Sequence, residues 1–203
     1  MNRRDLLKQC ALAPVAGLLP AAAMARTASS ANGPRAGYFP NAALRTQEGT
    51  KVQFYDLIKG DRLVIINFMY ANCDGICPNM TANLVKVQRA LGDRVGRDIF
   101  FLSITLKPEE DTPKVLRTYA RAHGVGPGWL FLTGKPADIE KLRRKLGYVD
   151  PDPELDRDKS QHIGVIRFGR ESLDRWAACP ALSEPGQIVR SILDLDGAGR
   201  STG

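Results

Sequence analysis

The sequence predicts an α/β protein: a three-layer sandwich with a central mixed β-sheet, helices on both faces, and a hairpin added before the sheet. Three observations carry this reading. The runs 63–70 and 99–105 are apolar at nearly every position, as strands buried on both faces are. Between and after such runs, apolar residues recur at helical spacing, and each of these stretches stops at a glycine. Near the C-terminus, two strand-like runs flank a short turn signal, which marks an antiparallel hairpin.

Taken in order, the strand patterns 43–46 and 52–54 flank Gln47-Glu48-Gly49-Thr50 and form the added hairpin. Lys59-Gly60-Asp61 is a turn, and 63–70 is the central strand. Pro78 fits the first turn of a helix, where its missing N–H is not needed. Met80, Leu84, Val87 and Leu91 then carry a helix over 79–91, which Gly92 stops. A second buried strand spans 99–105. Asp111-Thr112-Pro113 starts a helix, with a cap residue followed by proline, and that helix ends near His123-Gly124. A third strand occupies 129–133. A helix over 136–146 places Ile139, Leu142 and Leu146 on one face before Gly147. The stretch 148–161 is rich in Asp and Pro without a period, so it reads as a long loop of the functional or mobile kind. Strands 162–168 and 173–177 pair around a Gly169-Arg170 turn. Ser183 or Glu184 opens a last helix. This order of elements is that of a thioredoxin-like sandwich.

The 203 residues, 43% of them hydrophobic, suffice for one ordinary core. Residues 1–25 read as an export signal: a basic start at Arg3-Arg4-Asp5-Leu6-Leu7-Lys8, an apolar run from Cys10 to Leu19, and an A-x-A pattern ending at Ala25. The paired arginines resemble a twin-arginine signal. Residues 26–39 read as a mobile linker, 40–194 as the thioredoxin-like domain and 195–203 as a polar tail. A periplasmic or otherwise exported protein is expected, in a compartment where disulfides persist. It would be membrane-associated only if the signal stays attached. The net charge is +7, of which residues 26–203 carry +5 in scattered positions. That is a basic soluble surface rather than a nucleic-acid patch. The chain lacks a confident transmembrane run, and its four cysteines match neither a disulfide scaffold nor a zinc framework.

The chemistry concentrates at Cys73-Asp74-Gly75-Ile76-Cys77-Pro78, where the central strand meets a helix. A helix N-terminus favours thiolate over thiol. A thiolate is both a nucleophile and a soft-metal ligand, so disulfide exchange and copper binding both stay open. The C-x-x-x-C spacing opens the loop by one residue relative to C-x-x-C and suits two sulfurs on one ion. His162, after the long loop, is a further candidate. Two thiolates and one imidazole make a soft, low-coordinate site suited to Cu(I), with Cu(II) also reachable. Met69 and Met80 read as core residues, His123 as a helix-end cation and Asp111 as a helix cap or its neighbour. Cys179 leaves an odd thiol after signal removal. A two-residue turn would put it on the face of His162, close enough to serve as a spare ligand or resolving thiol. A buried free cysteine is the plainer reading.

The run from Phe68 to Thr81, with the later Asp111-Thr112 and the distant His162, resembles the SCO/SenC family over roughly residues 40–193. These are thioredoxin-fold copper chaperones of cytochrome c oxidase assembly. The resemblance implies that Cys73, Cys77 and His162 bind copper for delivery to the binuclear copper site of the oxidase. It also implies partners in the copper-bearing oxidase subunit and other copper-handling or thiol-redox proteins. Here Gln161 stands where the family often has Asp, and Leu106-Lys107-Pro108 precedes the second helix. A monomer is expected. The competing expectations are a thiol–disulfide oxidoreductase, with Cys73 and Cys77 as its redox pair, and a redox or copper sensor.

Overall fold

In a computed structural model, residues 33–158 and 164–197 are described. The export signal, most of the linker, His162 and the end of the tail lie outside them.

Seven strands form one mixed sheet: β1 (Ala43–Thr46), β2 (Lys51–Gln53), β3 (Leu63–Met69), β4 (Ile99–Thr105), β5 (Trp129–Gly134), β6 (Val165–Arg170) and β7 (Arg175–Pro180). The order across the sheet is β2-β1-β5-β4-β3-β6-β7. Strands β3, β4 and β5 run parallel, while β1 pairs antiparallel with β5 and the β6–β7 hairpin antiparallel with β3. All seven residues of β3 are buried, which explains why its sequence shows no alternation. The predicted hairpin stands as read, but Phe54 leaves it to open a short helix, α1 (Phe54–Ile58), that the sequence did not suggest.

The remaining helices are α2 (Ile76–Leu91), α3 (Pro113–Ala122), α4 (Pro136–Lys145), α5 (Pro153–Arg157) and α6 (Pro185–Asp196). Helix α2 begins earlier than the periodicity indicates, so Cys77 and Pro78 both lie within its first turn. It ends at Gly92, whose φ of 58° suits glycine. Helix α3 starts as expected, with Thr112 accepting from the Val115 amide and proline following the cap.

The strand register assigns the layers. Ile65, Asn67, Met69, Phe101, Ser103, Phe131, Ile166 and Phe168 share one face. Helix α3 lies there, with Tyr119 packed edge-on to Phe131, and its hydroxyl bonds to Thr81 of α2. Helix α6 packs beside α2. On the other face Tyr148 packs against Phe68, Phe39 against Trp176, and α4 brings Ile139 near Gly134. The layers are thus helix, sheet, helix. Among the described residues, no helix is long and apolar enough to cross a membrane.

Several sequence expectations need correction. The hairpin turn is not Gly169-Arg170. Gly169 lies in β6 opposite Trp176, where a Cβ would meet the Trp176 ring at 2.5 Å, so the glycine marks close approach rather than a turn. The chain reverses at Glu171–Asp174, with Asp174 at φ 48°. Glu171 is anchored there as a buried acceptor of the Tyr55 hydroxyl and the Arg35 amide. The second strand is therefore β7, and Cys179 pairs with Ile166 rather than lying two residues from the partner of position 162. The long loop contains α5, capped by Asp152. Residues 33–39 are packed, with Phe39 buried and Arg35 paired to Asp174. Helix α6 runs to Asp196, whose carboxylate meets Arg94 and Arg170, so positions 195 and 196 belong to the helix rather than to a tail.

Tyr148 controls where β6 leaves β3. Ile66 and Arg167 face each other in register, and the Tyr148 hydroxyl sits between their backbones. It donates to the Ile66 carbonyl at 2.7 Å and accepts from the Arg167 amide at 3.1 Å. The ladder between the two strands ends at this pair, on the way to the thiol loop. Replacing Tyr148 with Phe strands a part-buried donor and a buried acceptor. It should cost about 1–3 kcal/mol in urea denaturation; an unchanged midpoint would mean that the two strands close directly.

Candidate metal centre

The two cysteines meet at the C-terminal end of β3, outside the carboxyl edge of the parallel strands, where α/β sheets place ligands. Cys73 lies in the 70–75 connection and Cys77 in the first turn of α2. Both are buried, Cys73 at 6% exposure and Cys77 at 0%, and both are free cysteines.

The local fold explains their unequal character. Gly75 is the cap residue of α2 and supplies no side chain to the free amides of the first turn. The Cys73 sulfur takes that place. Burial opposes its ionisation, but hydrogen bonds from the Cys77 thiol, the Cys77 amide, the Tyr70 hydroxyl and the Gly75 amide outweigh burial. They hold the Cys73 thiol below the ordinary cysteine value. Cys77 is pushed up, first by burial and then by donating its proton toward Cys73, against a smaller opposing bond from the Tyr70 amide. Tyr70 is raised for the same reasons, burial first and then its bond to Cys73. The arrangement is one thiol that ionises readily beside one that resists ionisation.

Helix α3 and its approach support the loop from behind. The Tyr119 hydroxyl donates to the Cys77 carbonyl at 3.3 Å and lies 2.8 Å from Thr81 Oγ1. Burial pushes the Tyr119 hydroxyl up to about 12. Asp111 is not the cap of α3. It is buried, and its carboxylate takes the Ala71 amide at 3.1 and 3.3 Å and the Thr105 hydroxyl at 2.5 Å. Lys107 sits 4.5 Å over the Tyr70 ring.

Of the expected ligands, the structure brings Cys73 and Cys77 together, while His162 lies outside the described residues. Among the described residues, no group of three His, Cys, Asp or Glu side chains could hold a metal ion. Met69 and Met80 are fully buried core residues, as the sequence suggested. His123 caps the end of α3, its ring 4.1 Å from Tyr119 and its Nδ1 2.9 Å from the Tyr119 carbonyl. Cys179 is half-buried on β7, with burial raising its thiol, and it makes no part of the hydrogen bonding around Cys73. Tyr70, Tyr119 and Asp111 are the polar residues that sequence reading did not assign to the site. The position of Tyr70 directly at the strand end, and the place of Asp111 among the residues that carry the family resemblance, were the available signals.

The hydrogen bonding makes Cys73 the more readily ionised of the two thiols. In reduced, metal-free protein, iodoacetamide should modify Cys73 ahead of Cys77. Its rate should rise with pH through a midpoint below the ordinary cysteine value and then level off, because a lowered pKa leaves Cys73 ionised where Cys77 is still a thiol. Equal labelling of the two in peptide mass spectra would contradict this.

With the site described, known proteins can be set beside it. Residues 41–166 match the SCO1/SenC family model. An SCO1 protein homolog of Bacillus subtilis is 33% identical over 103 residues, covering 50% of this chain and 52% of the relative. The chain thus spans about half the length of the curated relatives it matches first, at 52% and 54%. Bradyrhizobium japonicum ScoI, solved with copper bound, superposes with a TM-score of 0.61 at 25% identity over 76% of this chain and 96% of that one. BsSco, described as a member of the Sco family of cytochrome c oxidase assembly proteins with a disulfide switch, has a TM-score of 0.61 at 22% identity. That match covers 76% of this chain and 91% of the other.

Proposed function

The chain belongs to the SCO1/SenC family, and we propose that it is an exported metallochaperone that carries copper on Cys73, Cys77 and His162. Its destination is the binuclear copper site of cytochrome c oxidase. One observation carries the reading: two thiols share a hydrogen bond at a helix N-terminus, one already inclined to thiolate. Thiolate sulfur is a soft donor suited to Cu(I). Copper-bound ScoI and the oxidase-assembly protein BsSco are similar to this chain and support the cargo and its destination.

Copper is the cargo, and the chain's residues receive and release it. Cys73 is the first ligand, because it is the more exposed and the more readily ionised of the pair. Cys77 follows and must give up its proton, so loading releases a proton and affinity falls as the solution becomes acidic. His162 completes the set and is the ligand a partner's cysteine or methionine displaces first. The acceptor is the copper-bearing oxidase subunit. The signal read at 1–25 delivers the chain to the periplasm or an equivalent exported space.

A second reading has a specific observation behind it. A low thiol beside a high one is also the asymmetry of a thiol–disulfide oxidoreductase, with Cys73 attacking and Cys77 resolving. Titration of Cu(I) into the reduced protein against a competing chelator separates the two. Cys73→Ser and Cys77→Ser should each abolish tight binding, and His162→Ala should weaken it, with all affinities lower at pH 5.5 than at pH 7.5. Wild-type binding no tighter than Cys73→Ser, together with turnover of a disulfide substrate, would favour the oxidoreductase.

A further inference from the structure

We propose that Asp111 is a positioning residue for the copper-binding thiols, holding Cys73 in place through the backbone of Ala71. The proposal rests on the copper reading above for its cargo, but its geometry is independent of copper.

The final rung between β3 and β4 is the Leu106 amide on the Met69 carbonyl, at 2.8 Å. Beyond it, residues 70–75 belong to neither ladder nor helix. The Ala71 amide is the next donor toward β4, and the Asp111 carboxylate receives it with both oxygens, at 3.1 and 3.3 Å. Oδ2 also accepts from Thr105 Oγ1 at 2.5 Å, and that oxygen in turn accepts from the Lys107 amide at 2.9 Å. Asp111 therefore stitches the ends of the two parallel strands together just where the thiol loop departs.

Its placement is costly for a residue with a merely local role. Asp111 is 1% exposed and makes no ion pair among the described residues; Lys107, the cation that follows β4, pairs with Glu110 at 3.6 Å. Burial is the largest influence on the carboxyl and pushes it above the usual aspartate range. The capping of α3 is done by Thr112, so Asp111 is not needed for that. What it does hold is the residue two before Cys73. At the far end of the same loop, Tyr119 of α3 holds the Cys77 carbonyl. Asp111, just ahead of α3, and Tyr119, within it, thus hold the two flanks of the thiol loop, and loosening the Ala71 grip lets the Cys73 sulfur drift from the amides of Gly75 and Cys77. Outer contacts of this kind are worth about 10- to 100-fold in metal affinity elsewhere.

The test uses the reduced protein with two readouts: Cu(I) affinity by chelator competition, and the iodoacetamide rate of Cys73 without metal. Asp111→Ala should weaken Cu(I) binding about 10- to 100-fold and change the Cys73 rate severalfold. Asp111→Asn, which keeps one acceptor for Ala71, should recover part of both. Thr112→Ala is the control: it removes the α3 cap and lowers the unfolding midpoint but should leave both readouts at wild type. If Asp111→Ala does not fold, Asp111→Asn and Thr105→Val decide the matter, each expected to shift both readouts in the same direction. Wild-type values in the folded Asp111 variants overturn the proposal, as does a Thr112→Ala effect equal to that of Asp111→Asn. Wild-type protein binding copper no better than Cys73→Ser overturns the copper reading instead, and the alkylation readout then still decides the role of Asp111.

Discussion

A buried parallel strand that stops at a reactive loop leaves its next backbone donors without a ladder, and buried donors need partners. The structure meets this constraint at the end of β3 with side chains. Asp111 takes the Ala71 amide, and the Cys73 sulfur takes amides at the start of α2, where the cap residue is a glycine. The helix terminus therefore needs the sulfur as an acceptor, and the sulfur gains by becoming a better one. Folding and thiol chemistry draw on the same hydrogen bonds. This is why Cys73 is the more readily ionised member of the pair while Cys77, deeper and donating, is the harder to ionise.

The rest of the fold holds that junction still. Strand β3 is paired on both sides, by β4 in parallel and β6 in antiparallel fashion. Tyr148 ends the second pairing by inserting its hydroxyl between the two backbones. Helix α2 is fastened to α3 through Thr81 and Tyr119, and to the approach of α6 through Asn83, whose amide donates to the Ala181 and Ser183 carbonyls at 2.9 and 2.8 Å. At the opposite end, Arg94 and Arg170 converge on Asp196 and join the last helix to the sheet. Most of the partners in these contacts are far in sequence from the thiols, and their effect is to leave the loop few alternatives.

How much of this was legible beforehand depended on whether a residue's role is local. β3 and β4 were readable because burial on both faces leaves an unmistakable apolar run. Thr112-Pro113 was readable because capping is local, and Cys73 and Cys77 because two thiols at a strand-to-helix junction have few other uses. Gly169 misled, because a glycine serves a turn and a close approach equally well, and only Trp176 across the ladder distinguishes them. That error moved the hairpin register and with it the expected place of Cys179. Asp111 next to Thr112 looked like capping chemistry; its actual partner is 40 positions earlier in the chain. Tyr148 and Glu171 are alike in this: each joins segments that no sequence window contains.

The central claim is a single copper ion held by two sulfurs and one imidazole nitrogen. Copper K-edge X-ray absorption on the reduced, Cu(I)-loaded protein and on His162→Ala tests it most directly. The account predicts a first shell of two sulfurs and one nitrogen in the wild type, with the nitrogen lost or replaced by a light solvent atom of different imidazole-free outer scattering in the variant. A three-sulfur shell, which would bring in Cys179, or an imidazole signal that survives in His162→Ala would contradict it.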